Sequence, residues 1–170
     1  MNYFGITKCD IANGLGVRVV LWVSGCTMHC PGCHNPETWE FTGGKIFDDT
    51  AKQELFEALS KPWVKGITIS GGHPLEPENR GAVYDLLQKI KKEFPDKDIW
   101  LYTGYNLDSD DFQDPNIVIN QILTMCDVVV DGPFILEQRD LTLPFRGSRN
   151  QRLIDVHQTL EKNQICELKI

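Results

Sequence analysis

Three of the six cysteines lie within eight residues, at Cys26, Cys30 and Cys33. They follow an apolar run, Val19–Val23, which ends in Ser-Gly and therefore predicts a buried strand that leads into a loop. Three thiolates on one loop can converge on a single point, and soft thiolates select zinc, Cu(I) or iron–sulfur clusters. The spacing therefore predicts a metal site at the end of this strand.

The number of clustered cysteines bears on which metal they would hold. A closed structural zinc site needs four ligands, and an ordinary [4Fe–4S] cluster also takes four cysteines. Three cysteines would leave one iron of a [4Fe–4S] cluster open, and by analogy with catalytic zinc sites an open position binds substrate or cofactor directly. Zinc stays the main alternative, because His29 or His34 could supply a fourth ligand.

Alternating strand and helix patterns must position this loop. The pattern predicts strands at 18–23, 66–70, 98–102 and 128–130, and helices that start near 48–50, at 77 and at 117. Thr50 and Gln53 have the spacing of a capping box for the first helix. Such alternation indicates an α/β fold with a parallel sheet, and a complete eight-unit barrel needs about 250 residues. We therefore expect an open partial (β/α) barrel with mostly parallel strands.

The carboxyl ends of the predicted strands carry further candidate binding residues. Gly71 and Gly72 directly follow the second of these strands, where glycine lets a ligand approach backbone amides and carbonyls. A plain strand-to-helix turn is the alternative interpretation of the pair. Residues 103–104 and 131–132 follow the next two strands, so all four loops are expected at one edge, the usual ligand site of such sheets.

Composition and charge limit the classes of function. The net charge of −7 and the pI of about 5.0 argue against a broad nucleic-acid surface. No apolar run approaches the length of a membrane span, and no signal peptide is recognised, so with clustered thiols we expect a cytoplasmic protein. The length predicts a single domain over 1–170, with a core at about 15–156 and a short C-terminal tail. No Ser/His/Asp set or phosphate-binding loop stands out, and no catalytic side chain is assigned.

The cysteine spacing C-x3-C-x2-C resembles that of the radical S-adenosylmethionine (AdoMet) superfamily. Five segments narrow the resemblance, namely Gly25–Trp39, Ser70–Leu75, Asp98–Tyr105, Val130–Phe134 and Phe145–Arg152. They closely resemble the family of activating proteins of anaerobic ribonucleoside-triphosphate reductase. The resemblance covers about nine-tenths of the chain, from Asn2 to roughly Val156.

The resemblance implies two cofactors and the residues that hold them. One [4Fe–4S] cluster per chain would be held by Cys26, Cys30 and Cys33, with AdoMet on the fourth iron. The cofactor-binding residues would be Gly32, Cys33, His34, Gly71 and Gly72. The chain departs from the superfamily at His73, where an Asp or Glu is usual in the Gly-Gly-acid-Pro segment.

The resemblance also implies a reaction and its partners. Reductive cleavage of AdoMet would give methionine and a 5′-deoxyadenosyl radical, which abstracts hydrogen from a backbone glycine of the large subunit of the reductase. A reducing electron donor such as a flavodoxin-like protein is expected, and a homodimer or a heterotetramer with the reductase both stay open. Two alternatives remain, an activase of another glycyl-radical enzyme such as a formate-lyase-type protein, and a non-enzymatic zinc or iron–sulfur module.

Overall fold

The computed structural model describes all 170 residues, from Met1 to Ile170. Its strands are β1 (Asn2–Asp10), β2 (Arg18–Val23), β3 (Lys45–Ile46), β4 (Gly66–Gly71), β5 (Asp98–Tyr102), β6 (Val128–Asp131) and β7 (Arg152–Asp155). Its α-helices are α1 (Asp49–Leu59), α2 (Pro77–Glu93), α3 (Val118–Met125) and α4 (Val156–Lys162). The fold is therefore α/β, as predicted. None of the helices combines the length and the hydropathy needed to cross a bilayer.

The seven strands form one mixed sheet in the order β3-β1-β2-β4-β5-β6-β7. The four central strands are parallel, because β2 pairs with β4, β4 with β5, and β5 with β6 in parallel register. The three outer pairings, of β1 with β2, β1 with β3 and β6 with β7, are antiparallel. The expectation of mostly parallel strands thus holds for the centre of the sheet and is wrong for its flanks. The carboxyl ends of β2, β4, β5 and β6 meet at one edge, as predicted.

The two faces of the sheet are covered differently, because successive strand residues point to opposite sides. On the helical face, strand residues such as Leu21, Ile69 and Leu101 pack with α1, α2 and α3 in a core of 27 buried residues. The opposite face, here called the open face, carries a smaller cluster of Trp100, Val128, Val130 and Leu153. The partly buried rings of Tyr102 and Phe145 pack against that cluster.

A fully buried arginine lies on the open face near the amino ends of the parallel strands. Arg18 donates from Nε to Thr68 Oγ1 at 2.8 Å and from Nη2 to the Ile67 carbonyl at 2.7 Å. Its guanidinium also pairs with the Asp98 carboxylate and lies 5.2 Å from the centre of the Trp100 ring. A buried charge is tolerated only when it is paired and hydrogen-bonded, and these contacts meet that condition.

The first helix begins differently from the sequence prediction. Asp48 is the N-cap of α1, and its carboxylate accepts the Ala51 N–H at 2.9 Å. The predicted capping box of Thr50 and Gln53 is wrong, because Thr50 already lies within the first turn. Asp48 is two residues upstream and can accept this N–H in the usual N-cap geometry. The later helices start within one residue of the predicted positions, at Pro77 and Val118.

Candidate functional site

The cysteine loop, residues 24–35, leaves the carboxyl end of β2 and is held by backbone hydrogen bonds. The N–H of Gly25 donates to the Thr38 carbonyl at 2.8 Å, and that of Cys26 donates to the Trp39 carbonyl at 2.9 Å. Farther along, the N–H of Cys33 donates to the Cys30 carbonyl at 3.0 Å and closes a turn. The loop therefore has a fixed entry and a turn that brings its last two cysteines together.

The three loop cysteines are free thiols and partly exposed. Burial raises the pKa of the Cys26 thiol, and the backbone N–H groups of Met28 and His29 oppose that rise by hydrogen bonding to its sulfur. The Asn35 N–H donates to the Cys33 sulfur at 3.4 Å. In this structure no group of three or more His, Cys, Asp or Glu side chains is arranged around a common metal position.

The chemistry of the donor set fits an iron–sulfur cluster. Three thiols without a disulfide stand on one loop, and soft thiolates are the ligands of such clusters. Backbone N–H groups already point at two of the sulfurs, and hydrogen bonds to sulfur are one of the ways in which proteins tune cluster potentials. Of the two loop histidines, the ring of His29 stacks on Trp39 at 4.6 Å and the ring of His34 lies against Phe134 at 5.3 Å.

The turn before Cys33 depends on a glycine. Gly32 has φ +75°, in the left-handed region that side chains disfavour. A Cβ at this position would also lie 2.9 Å from Cδ1 of Leu136. The residue is therefore required for the path of the loop, whatever part it plays in binding.

The second predicted element, Gly71-Gly72, lies directly against the start of the cysteine loop. The N–H of Gly72 donates to the Val23 carbonyl at 2.7 Å, and that of His73 donates to the Gly25 carbonyl at 2.8 Å. Gly71 has φ +102°, and a Cβ there would lie 2.6 Å from the Val23 carbonyl oxygen. The close approach of the two backbones explains the glycines structurally, and it also brings both predicted binding segments to one place.

A cavity of about 450 Å³ opens on the open face beside the last cysteine of the loop. Its walls include the predicted site residues Cys33 and His34, together with Ser70, Tyr102 and Arg146. Ligand pockets usually measure about 300–1,000 Å³, so a small cofactor fits this volume. Gly32, Gly71 and Gly72 are not among the lining residues. A second cavity of about 380 Å³ lies beside α1 and α2, has three lysines in its wall and contains no cysteine.

Most side chains of the polar segment 146–152 make hydrogen bonds that hold the segment in place, whereas one buried donor, on Arg146, has no partner. Asn150 and Gln151 donate to the carbonyls of Pro133 and Gly132, and Arg152 pairs with the buried Asp131. These contacts tie the segment to the loop after β6. Arg146 donates from Nη1 to the Gln151 carbonyl at 3.0 Å, whereas its buried Nε–H has no partner. Of the three arginines of this segment, only Arg146 lies in the wall of the cavity.

Sequence reasoning named His73 but missed the buried Glu76 beside it, beneath the cysteine loop. The Glu76 carboxylate accepts hydrogen bonds from the backbone N–H and the hydroxyl of Thr27. The two ring nitrogens of His73 contact Glu76 and Thr103. Burial lowers the pKa of His73, so the ring is neutral near pH 7. No local pattern pointed to this contact, because Glu76 stands just before Pro77 at the start of α2, and the pair predicts only where the helix begins. The Glu76 side chain makes no cap bond.

The remaining cysteines lie outside this arrangement. Cys9 is exposed on β1, and Cys166 is partly buried near the C-terminus. Cys126 is buried, its sulfur donates to the Ile122 carbonyl at 3.3 Å, and burial raises the pKa of its thiol. Cys126 is therefore a packed core residue, and the chain offers thiols of three distinct environments.

Comparison with known proteins gives a consistent family. Residues 12–154 match the family model described as a 4Fe-4S single cluster domain. The anaerobic ribonucleoside-triphosphate reductase-activating protein of Haemophilus influenzae is 44% identical over 89% of this chain and 96% of its own length. The proteins of the same name from Enterobacteria phage T4 and Escherichia coli K12 are 43% and 40% identical, over 90% and 89% of this chain and 93% and 96% of their own lengths. The chain therefore belongs to the family of the anaerobic ribonucleoside-triphosphate reductase-activating proteins.

Proposed function

We propose that this chain is an activase that uses a [4Fe–4S] cluster and AdoMet to generate a glycyl radical on the large subunit of an anaerobic ribonucleoside-triphosphate reductase. The observation that carries the proposal is the contact of the cysteine loop with the Gly71-Gly72 turn at one edge of the parallel strands, beside a 450 Å³ cavity that Cys33 and His34 line. That edge is where sheets of this kind bind ligands. The names of the relatives supply the partner.

In this proposal the chain's own residues bind and orient the cofactors. Cys26, Cys30 and Cys33 would hold the cluster as thiolates. Together the two cofactors supply the one-electron reductive cleavage of AdoMet that leads to the glycyl radical. The protein's contribution is to position them and to exclude water, and no side chain is assigned as a general acid or base. Gly32, His34, Gly71 and Gly72 would contribute backbone and side-chain contacts to AdoMet.

The proposal extends to the fold and to the cellular setting. The sheet would be the partial barrel of a single radical-AdoMet domain, with the open face as its interior. An open barrel leaves room for a glycine-containing segment of the reductase to reach the site. A reducing electron donor of the flavodoxin type and an anaerobic cytoplasm complete the proposal, and the assembly would be a homodimer or a heterotetramer with the reductase.

The proposal is tested by anaerobic reconstitution of the wild type and of Cys30→Ala, with Cys9→Ala as the matched control. We expect about four irons and four sulfides in the wild type and in the control, and 5′-deoxyadenosine when reductant and AdoMet are added. Cys30→Ala should give neither a stable cluster nor the product. A wild type that holds about one zinc and no sulfide would instead support a non-enzymatic zinc module.

The identity of the substrate protein is a separate question. Adding the large reductase subunit and a formate-lyase-type enzyme in parallel distinguishes the two glycyl-radical partners. We expect radical formation on the reductase alone, because the relatives are named for it. Radical formation on the formate-lyase-type enzyme alone would reassign the partner and would leave the cofactor chemistry intact.

A further inference from the structure

A continuous line of hydrogen bonds runs beneath the cysteine loop. Glu76 Oε1 accepts the backbone N–H of Thr27 at 2.8 Å and its hydroxyl at 2.7 Å. The same oxygen lies 3.4 Å from His73 Nδ1, and His73 Nε2 lies 2.8 Å from Thr103 Oγ1. The Tyr105 N–H in turn donates to Thr103 Oγ1 at 3.2 Å. The line therefore links the loops that follow β2, β4 and β5.

The donors and acceptors in this line fit one tautomer of the histidine. A carboxylate only accepts hydrogen bonds, so His73 Nδ1 carries the proton that faces Glu76. Nε2 is then the acceptor, and the Thr103 hydroxyl donates to it while accepting from Tyr105. The edge of the neutral ring also packs against Tyr105, with ring centres 4.4 Å apart. The arrangement fixes the orientation of both His73 and Glu76.

Glu76 is an unusual residue to find in this place. It is 3% exposed, yet no lysine or arginine pairs with it, and its one titratable hydrogen-bond partner is the neutral His73. A buried carboxylate without a cation partner is costly unless hydrogen bonds satisfy it. Those bonds come chiefly from Thr27, the residue that directly follows the first cysteine of the loop.

We propose that Glu76 is a positioning residue for the cysteine loop, which holds the backbone beyond Cys26 through Thr27 and is itself oriented by His73. The Gly25 and Cys26 N–H groups are bonded to the Thr38 and Trp39 carbonyls, and Glu76 holds the residue immediately after Cys26. The sulfur of Cys26 is thereby held between two anchored points.

The rates at which individual thiols are alkylated in the apo protein test the proposal. Wild type, Glu76→Ala, Glu76→Gln and Thr27→Val would be treated with iodoacetamide, and each cysteine followed by mass spectrometry. Cys126 serves as an internal reporter of global unfolding, because it is fully buried. Glu78→Ala is the matched control, since Glu78 is exposed in the first turn of the same helix.

We expect Glu76→Ala to accelerate alkylation of Cys26 about tenfold or more while Cys126 stays protected, since hydrogen bonds to a charged group are lost. Glu76→Gln also removes a negative charge that disfavours the Cys26 thiolate, so it measures that electrostatic effect alone, and Cys26 should react clearly more slowly in it than in Glu76→Ala, because its amide oxygen still accepts from Thr27. Thr27→Val should give a Cys26 alkylation rate between those of the wild type and Glu76→Ala. Glu78→Ala should leave the Cys26 rate unchanged. An unchanged Cys26 rate, equal rates in Glu76→Ala and Glu76→Gln, or a parallel rise at Cys26 and Cys126 would overturn the proposal. If Glu76→Ala does not fold, the Cys26 alkylation rate of Thr27→Val tests the proposal: a rise supports it, and an unchanged rate overturns it.

A second readout uses the reconstituted protein and rests on the proposed function. Chelator-driven iron release should be faster from Glu76→Ala than from Glu76→Gln or wild type, in the absence of AdoMet. Equal release rates from all three would count against the positioning role. The two claims fail separately, because a wild type without an iron–sulfur cluster would defeat the proposed function while the alkylation rates of the apo protein still decide the role of Glu76.

Discussion

The two faces of the sheet have different roles: the helical face carries the main apolar core, and the open face carries the cavity. The helical face buries 27 residues in one core, and its strand and helix side chains are almost entirely aliphatic and aromatic. The open face has an apolar cluster of only four buried residues. Its other buried residues include the polar Arg18, Thr68 and Ser70, and Ser70 lines the cavity beside Cys33. Stability therefore rests mainly on the helical face, which leaves the open face free to carry polar groups and a cavity.

The difference between the faces explains why a loop with three reactive thiols can exist in a stable fold. The loop is held by backbone hydrogen bonds and by the buried Glu76, so it needs no apolar core of its own. Substitutions on the two faces should therefore have separable effects. Those at the cysteine loop should change metal binding with little change in stability, and those on the helical face should do the reverse.

The largest effect is expected from Cys30→Ala. Loss of a thiolate should abolish cluster binding and AdoMet cleavage, whereas the free energy of unfolding of the apo protein should change by less than about 0.5 kcal/mol, because Cys30 is only partly buried. Iron and sulfide analysis, product assay and urea unfolding measure the three quantities. A loss of several kcal/mol in the apo protein would break the division between the faces.

Leu87→Ala is the opposite test, on the helical face. Leu87 is fully buried in α2, and truncation should lower the free energy of unfolding by about 2–5 kcal/mol through lost burial and a cavity. The folded fraction should still bind a full cluster. Leu160→Ala, at a 38% exposed position of α4, is the control and should cost much less. Cluster loss in folded Leu87→Ala would show that the faces are coupled.

Gly71→Ala changes the last residue of β4, where that strand approaches the start of the cysteine loop. The positive φ and the clash with the Val23 carbonyl should cost about 1–3 kcal/mol. Under the proposed function the KM for AdoMet should rise as well, because the turn is displaced from the loop. Gly81→Ala is the control, since a Cβ at Gly81 meets nothing within 4 Å. Equal behaviour of the two variants would contradict the tight approach at Gly71.

The smallest effect concerns pH and lies at the edge of the sheet opposite the cysteine loop. Although burial raises it, the pKa of Asp127 lies below its ordinary value because His157, the Ile99 N–H and Lys91 favour the carboxylate. A group with a lowered pKa stabilises the fold above its unfolded pKa of about 3.9, and that stabilisation is lost as the pH falls through the folded pKa. Stability should therefore decline in acid, and less steeply for Asp127→Asn. Identical urea midpoints at every acidic pH would refute the contribution.

The sequence was sufficient to predict the centre of the fold. The strands at 18–23, 66–70, 98–102 and 128–130 were recognisable because they are continuous apolar or β-branched runs, typical of strands buried on both faces. β1 and β7 were missed because they are partly exposed and mix polar with apolar residues. Their pairing depends on partners that are distant in sequence, and no local pattern specifies such a partner.

In the candidate site, too, the local patterns were predictable from the sequence, whereas the contacts between distant residues were not. The cysteine spacing and Gly71-Gly72 are local patterns, and the structure brings these segments together. The contact between Glu76 and Thr27 joins residues 49 positions apart, so neither residue indicated it. Arg146 could be named from a motif, but only the fold distinguishes its unpartnered Nε–H from the structural contacts of its neighbours.

The most direct test of the central claim is electron paramagnetic resonance of the large reductase subunit after anaerobic incubation with the reconstituted chain, reductant and AdoMet. The account predicts a glycine-centred radical signal on the reductase with the wild type and with Cys9→Ala, and no signal with Cys30→Ala. A fully loaded wild-type cluster that produces no radical on the reductase would contradict the account.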